Sequence, residues 1–127
     1  MLSKSPLVAF VATAAPESAK HFYGSVLGLP LLEDTPFALV FDANGTSLRI
    51  QKVRHVAPAP HTVLGWAVSD IRAAVQGMAA KGVAFQRYDG LAQDQLGIWS
   101  SPGGALVAWF RDPDGNTLSL TESRSQH

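Results

Sequence analysis

The sequence predicts an α+β fold of two tandem β-α-β-β-β modules, forming a curved half-barrel sheet with the helices on its outer face. Two observations carry this. The hydrophobic pattern runs from strand period to helix period and back, then does so again. The segment Asn44-Gly45-Thr46-Ser47-Leu48-Arg49-Ile50 also matches Asp114-Gly115-Asn116-Thr117-Leu118-Ser119-Leu120 position for position. Two copies are too few for a solenoid, so a duplicated module is the simplest reading. One domain over residues 1–127 is expected, with the first module at about 6–53 and the second at about 62–122.

Residues 7–13 form an apolar strand candidate, and Pro16 then suits the first turn of a helix. Ala19, Phe22, Tyr23, Val26 and Leu27 share one helical face, and Gly28 followed by Pro30 ends the helix. Residues 29–34, 37–42 and 47–53 read as three strands, with Asn44-Gly45 a hairpin turn between the last two. After a Pro/Ala/His connector the order repeats. Strand 63–68 precedes Ser69 or Asp70 as helix N-cap, and Ile71, Ala74, Val75 and Met78 make the apolar stripe that Gly82 closes. Strands follow near 83–87, at 98–100 or 105–110, and at 117–121.

Composition bounds the function. The 127 residues are 46% apolar, enough for a real core, and ten basic residues balance ten acidic ones. No electrostatic footprint points to nucleic acid or an anionic membrane, so neither is expected as a partner. Without cysteine there is no disulfide, thiolate ligand or cysteine nucleophile. The opening Met1-Leu2-Ser3-Lys4-Ser5-Pro6 lacks a sustained apolar run, and a soluble cytoplasmic protein is expected.

The run Trp109-Phe110-Arg111-Asp112-Pro113-Asp114-Gly115 joins an apolar strand to a tight turn, and Leu118 and Leu120 then alternate with Thr117, Ser119 and Thr121. With the His21-Phe22-Tyr23 and Leu27-Gly28-Leu29 elements, this resembles the vicinal oxygen chelate superfamily. That superfamily includes glyoxalase I, extradiol dioxygenases, fosfomycin-resistance enzymes and bleomycin-resistance proteins. The resemblance implies metal-ligand positions at Val8, Arg49, Val63 and Ser119, and none of these residues is a usual metal ligand. Two have no donor atom, and a guanidinium repels a cation. His61 is the one serious alternative, while His21, His55 and His127 are scattered over other elements. No metal and no cofactor is therefore expected.

What remains is an apolar, aromatic concave face suited to a small molecule. The resemblance points to Leu39 and Phe41, with Val107 and Trp109 as their counterparts, as pocket positions; Phe10, Ser119 and Thr121 should share that face, and Trp66 should point to the helix side. Arg49 is either a solvated charge or, at its inward aligned position, a fork of donors for a ligand carboxylate, phosphate or enolate, with Gln51 adding a hydrogen bond. Trp99 is either a flexible lid or a hairpin residue covering a sheet edge. No catalytic constellation emerges, and Ser119 has no evident base. The expected function is metal-independent binding of a small, partly aromatic or anionic molecule by a homodimer of bleomycin-resistance type. The alternatives are a glyoxalase-like lyase or isomerase, with a rearranged metal site or metal-free acid/base chemistry, and an accessory domain with a vestigial pocket.

Overall fold

A computed structural model describes residues 1–123 and divides the chain into two compact units, Met1–Pro58 and Ala59 onward. His127 lies outside the described residues. Each unit carries the predicted β-α-β-β-β order around a four-stranded mixed sheet. Among the described residues no helix is long and apolar enough to cross a membrane.

In unit 1, β1 (Val8–Thr13) runs parallel to β4 (Thr46–Lys52), and β3 (Ala38–Ala43) and β2 (Leu31–Asp34) complete the sheet order β1-β4-β3-β2. Helix α1 (Pro16–His21) begins on its proline and is shorter than its apolar stripe predicts. From Phe22 to Val26 the chain widens into a π-helical turn, with the Leu27 amide donating to the Phe22 carbonyl at 2.9 Å. Gly24, Ser25 and β-branched Val26 support a regular α-helix poorly, which favours the change. Tyr23 is thereby fully buried, its ring 6.0 Å from that of Phe41. The hairpin between β3 and β4 closes as expected: Asn44 and Gly45 both take positive φ, and Asp42 Oδ1 accepts from the Gly45 amide at 2.8 Å.

Unit 2 has the order β5-β8-β7-β6, from β5 (Thr62–Ala67), β6 (Trp99–Ser100), β7 (Leu106–Arg111) and β8 (Thr117–Glu122). Helix α2 (Ile71–Ala80) is capped twice: Asp70 Oδ1 accepts from the Ala73 amide at 3.1 Å, and Glu122 Oε1 accepts from the Ile71 amide at 2.9 Å. The turn joining β7 to β8 is built on Asp112, whose Oδ1 accepts from the amides of Asp114 and Asn116 and whose Oδ2 accepts from the Asn116 side chain, each at 2.9 Å.

The strand expected near 83–87 does not form. The segment touches the sheet edge through the Gln86 amide, which donates to the Trp109 carbonyl at 2.8 Å, and then leaves it. One side chain stands in for the missing ladder. Gln93 Nε2 donates to the carbonyls of Gln86 and Gly97, at 2.9 and 2.8 Å, and its Oε1 accepts from the Tyr88 amide at 2.8 Å. Asp94 Oδ1 accepts from the Leu96 and Ile98 amides, and Asp94 Oδ2 pairs with Arg72 at 3.1 Å. Five side-chain bonds of Gln93 and Asp94 thus hold backbone groups, and a sixth reaches Arg72 of α2, across a stretch that has no regular hydrogen-bond pattern of its own.

The helix-side core holds Leu39, Phe41, Leu48 and Ile50 in unit 1 and Phe110, Leu118, Leu120, Ile71 and Val75 in unit 2. Burying one large apolar side chain contributes about 1.5–3 kcal/mol, against about 0–1 kcal/mol for an exposed ion pair, so these residues outweigh the surface charges. On the surface, Asp34 meets Lys52 at 2.7 Å and Lys20 at 3.2 Å and so ties β2 to β4 and α1. Hydrogen bonding to Lys52, and then to Lys20, holds its carboxyl below the ordinary aspartate range. A depressed folded-state value means that this contribution is present above the unfolded aspartate value and disappears as pH falls through the folded one. Asp34→Asn should therefore melt slightly below the parent at neutral pH and converge with it at strongly acid pH, as followed by thermal melts over a pH series. A constant gap across the series would contradict the ion-pair assignment.

Candidate functional site

Residues paired across a sheet point to the same face, so strand register assigns every candidate side chain to a face. In unit 1, Arg49 lies opposite Phe10 on β1 and opposite Val40 on β3, and Ala38 lies opposite Gln51. Val8, Phe10, Arg49, Gln51, Val40 and Ala38 therefore share the face away from α1. Phe10 is 58% exposed there, Gln51 is exposed and Arg49 is half-buried. Among the described residues no carboxylate lies within ion-pair distance of the Arg49 guanidinium.

Leu39 and Phe41 are a correction. They lie opposite Ile50 and Leu48, and the Tyr23 ring meets Phe41, so both belong to the helix-side core. The structural counterpart of Trp109 is Val40, and that of Phe41 is Phe110. The cause is turn length: four residues separate Asp42 from its partner Ser47, while five separate Arg111 from Thr117. One extra residue shifts the alignment of the preceding strand, and a shift of one exchanges faces.

In unit 2, Ser119 lies opposite Trp109 on β7 and opposite Gly65 on β5, and Thr121 lies opposite Val107 and Ala67. Trp99 pairs with Val107. Trp109, Val107, Ser119, Thr121 and Trp99 are thus on one helix-free face, together with Thr117 and, at the turn end, exposed Arg111. Trp66 pairs with Leu120 and stacks on Phe110 at 6.4 Å and 25°, on the helix side as the sequence parity indicates.

The helix-free face of unit 2 carries a three-ring cluster. The Trp109 ring lies 6.0 Å from Trp99, tilted by 34°, and 5.4 Å from Tyr88, edge-on at 88°. Trp99 is a hairpin residue in an edge strand, and the Gln93 and Asp94 bonds fix the loop that leads to it. Tyr88 was not legible as a site residue, because it lies in the irregular segment where no strand parity applies. Arg111 was not named either, although strand parity gives it: it is two residues beyond Trp109 on the same strand.

Val8 and Arg49 share one helix-free face, and Val63 precedes Gly65 by two residues beside an irregularity in the β5 to β8 register. Two nearby strand carboxylates are engaged elsewhere: Glu122 caps α2 and Asp42 holds the β3–β4 turn. His61 is exposed at the start of β5, and among the described residues no three His, Cys, Asp or Glu gather in a metal-holding group.

The architecture is shared with solved structures. A glyoxalase family protein from Bacillus anthracis superposes with a TM-score of 0.74 at 17% identity, covering 95% of this chain and 96% of that one. A lactoylglutathione lyase from Agrobacterium tumefaciens gives 0.75 at 15% identity, covering 97% and 96%. An antibiotic-binding protein from Streptomyces sp. CB03234 gives 0.70 at 27% identity, covering 96% and 98%. Comparison with curated proteins gives no match. A family model matches residues 7–120, and the chain belongs to the glyoxalase/bleomycin resistance protein/dioxygenase superfamily.

Proposed function

We propose that the protein binds a small, partly aromatic or anionic molecule without using a metal ion. The observation that carries this reading is the Trp109, Trp99 and Tyr88 cluster on a helix-free sheet face. Partly exposed rings bordered by the small or polar residues Gly65, Ser119 and Thr121 offer a stacking surface with hydrogen-bonding groups beside it. Likeness to the antibiotic-binding protein from Streptomyces supports a binding role. Arg49 provides the anchor for an anionic group on the unit 1 face, where Phe10 and Gln51 are its neighbours. A lyase or isomerase acting through a metal would need donors gathered around His61, and the described residues supply no such group.

The same reading includes a homodimer. Leu7, Val8 and Phe10 leave an exposed apolar stretch along β1 and the segment before it, which a second copy would cover. A sedimentation measurement at micromolar concentration should give twice the chain mass, and a monomer would contradict it.

Substitutions at two residues test the binding surface. Arg49→Ala should weaken binding of anionic ligands by about one to two decades, since a charge-assisted hydrogen bond is worth about 1.5–3 kcal/mol. Arg49→Lys should restore part of this, keeping the charge but not the planar fork. Trp109→Ala should reduce affinity for flat aromatic ligands by about 0.5–1.5 kcal/mol beyond the lost contact area, and affect small aliphatic anions less. Calorimetry in the presence of a chelator, with thermal melts to verify folding, reads both. Unchanged affinities would return Arg49 to the solvated surface and Trp109 to the scaffold.

A further inference from the structure

We propose that Ser119 and Gly65 form a hydrogen-bonding notch that selects, among flat aromatic ligands, those carrying an uncharged hydroxyl or carbonyl oxygen on the ring edge. This rests on the reading of the unit 2 helix-free face as a ring-binding surface.

Ser119 is only 8% exposed, and among the described residues its hydroxyl has no hydrogen-bond partner. Buried hydroxyls are ordinarily satisfied, because leaving one without a partner forfeits its hydration for nothing. Its direction is given by its neighbour. A Cβ built on Gly65 would lie 2.8 Å from Ser119 Oγ, so the hydroxyl leans over the place where residue 65 would otherwise carry its side chain. Gly65 has ordinary extended backbone and no positive φ, so the strand itself does not require a glycine. A glycine inside a strand weakens it and marks a point of close approach. Gly65 is itself exposed, which leaves the approach to the hydroxyl open.

On its other side Ser119 stands directly opposite Trp109. A ring that lies along Trp109 and extends across Ser119 toward Gly65 brings its edge to the hydroxyl. A hydroxyl both donates and accepts, so it suits a phenol or a carbonyl equally. Thr117, 7% exposed and likewise without a side-chain partner among the described residues, adds a second hydroxyl on the same face. The strands place one charged residue on this face, exposed Arg111 at the turn end, so the notch itself reads a neutral oxygen.

The test uses two probes that differ by one hydroxyl, 2-naphthol and naphthalene, titrated by calorimetry, with thermal melts verifying that each variant folds. The parent protein should bind 2-naphthol about tenfold more tightly. Ser119→Ala should remove that preference while leaving naphthalene affinity within about twofold. Gly65→Ala, which fills the notch and makes the Ser119 hydroxyl turn aside while the serine itself is kept, should remove it as well. A preference that survives both substitutions overturns the notch. Equal affinity of the parent for both probes, with Trp109→Ala abolishing both, overturns the notch while leaving the ring-binding surface standing. Binding of neither probe overturns both.

Discussion

The alternation of side chains along the two central hairpins is the constraint on which the rest of the structure depends. In unit 2, Phe110, Leu118 and Leu120 point to the helix side while Trp109, Ser119 and Thr121 point away. A slip of one residue would exchange the two sets. Burial of three large apolar side chains at about 1.5–3 kcal/mol each outweighs single turn hydrogen bonds at about 1 kcal/mol, so the apolar set decides which face goes inward. The Asp112 turn decides where along the strand the exchange of direction falls, and its buried carboxylate satisfies three donors in doing so. The face left over is the one that carries aromatic rings and hydroxyls.

Unit 2 differs from unit 1 where that face meets the sheet edge. In unit 1 a four-residue strand pairs with β3 directly after α1 and its π-helical turn. In unit 2 the corresponding chain makes one bond at Gln86, departs, and returns as the two-residue strand at Trp99. The departure brings Tyr88 and Trp99 into contact with Trp109, and Gln93 replaces the backbone ladder that this excursion gives up. A broken edge strand is the local cost of assembling three rings at one place. Side-chain amides suit the task because they donate and accept at once.

Much of this was legible in the sequence. The duplicated Asn44-Gly45 and Asp114-Gly115 turns, with the apolar periodicity around them, are enough for the two modules, and strand parity placed Arg49, Ser119, Trp109 and Trp66 on the faces the register gives them. Leu39 and Phe41 went to the wrong face because the two hairpin turns differ by one residue, a difference hidden when only the strands after the turns are aligned. The edge near 83–87 misled for another reason: its alternation of Val83, Phe85 and Arg87 is that of a strand, but only the Gln86 amide bonds β7 and the Gln86 carbonyl is taken by the Gln93 side chain. The hydroxyl of Ser119 and the space above Gly65 belong to the same class, since their meeting depends on which residues β5 and β8 bring opposite each other.

The three tryptophans provide the most direct measurement of the central claim. Trp109 and Trp99 lie on the helix-free face and Trp66 on the helix side, so their indole N–H resonances form an internal comparison within one sheet. On titration with a flat aromatic ligand, heteronuclear NMR should show the Trp109 and Trp99 signals shifting together and saturating while the Trp66 signal stays in place. A saturable shift confined to Trp66, or three stationary signals in the presence of demonstrated binding, would contradict the account.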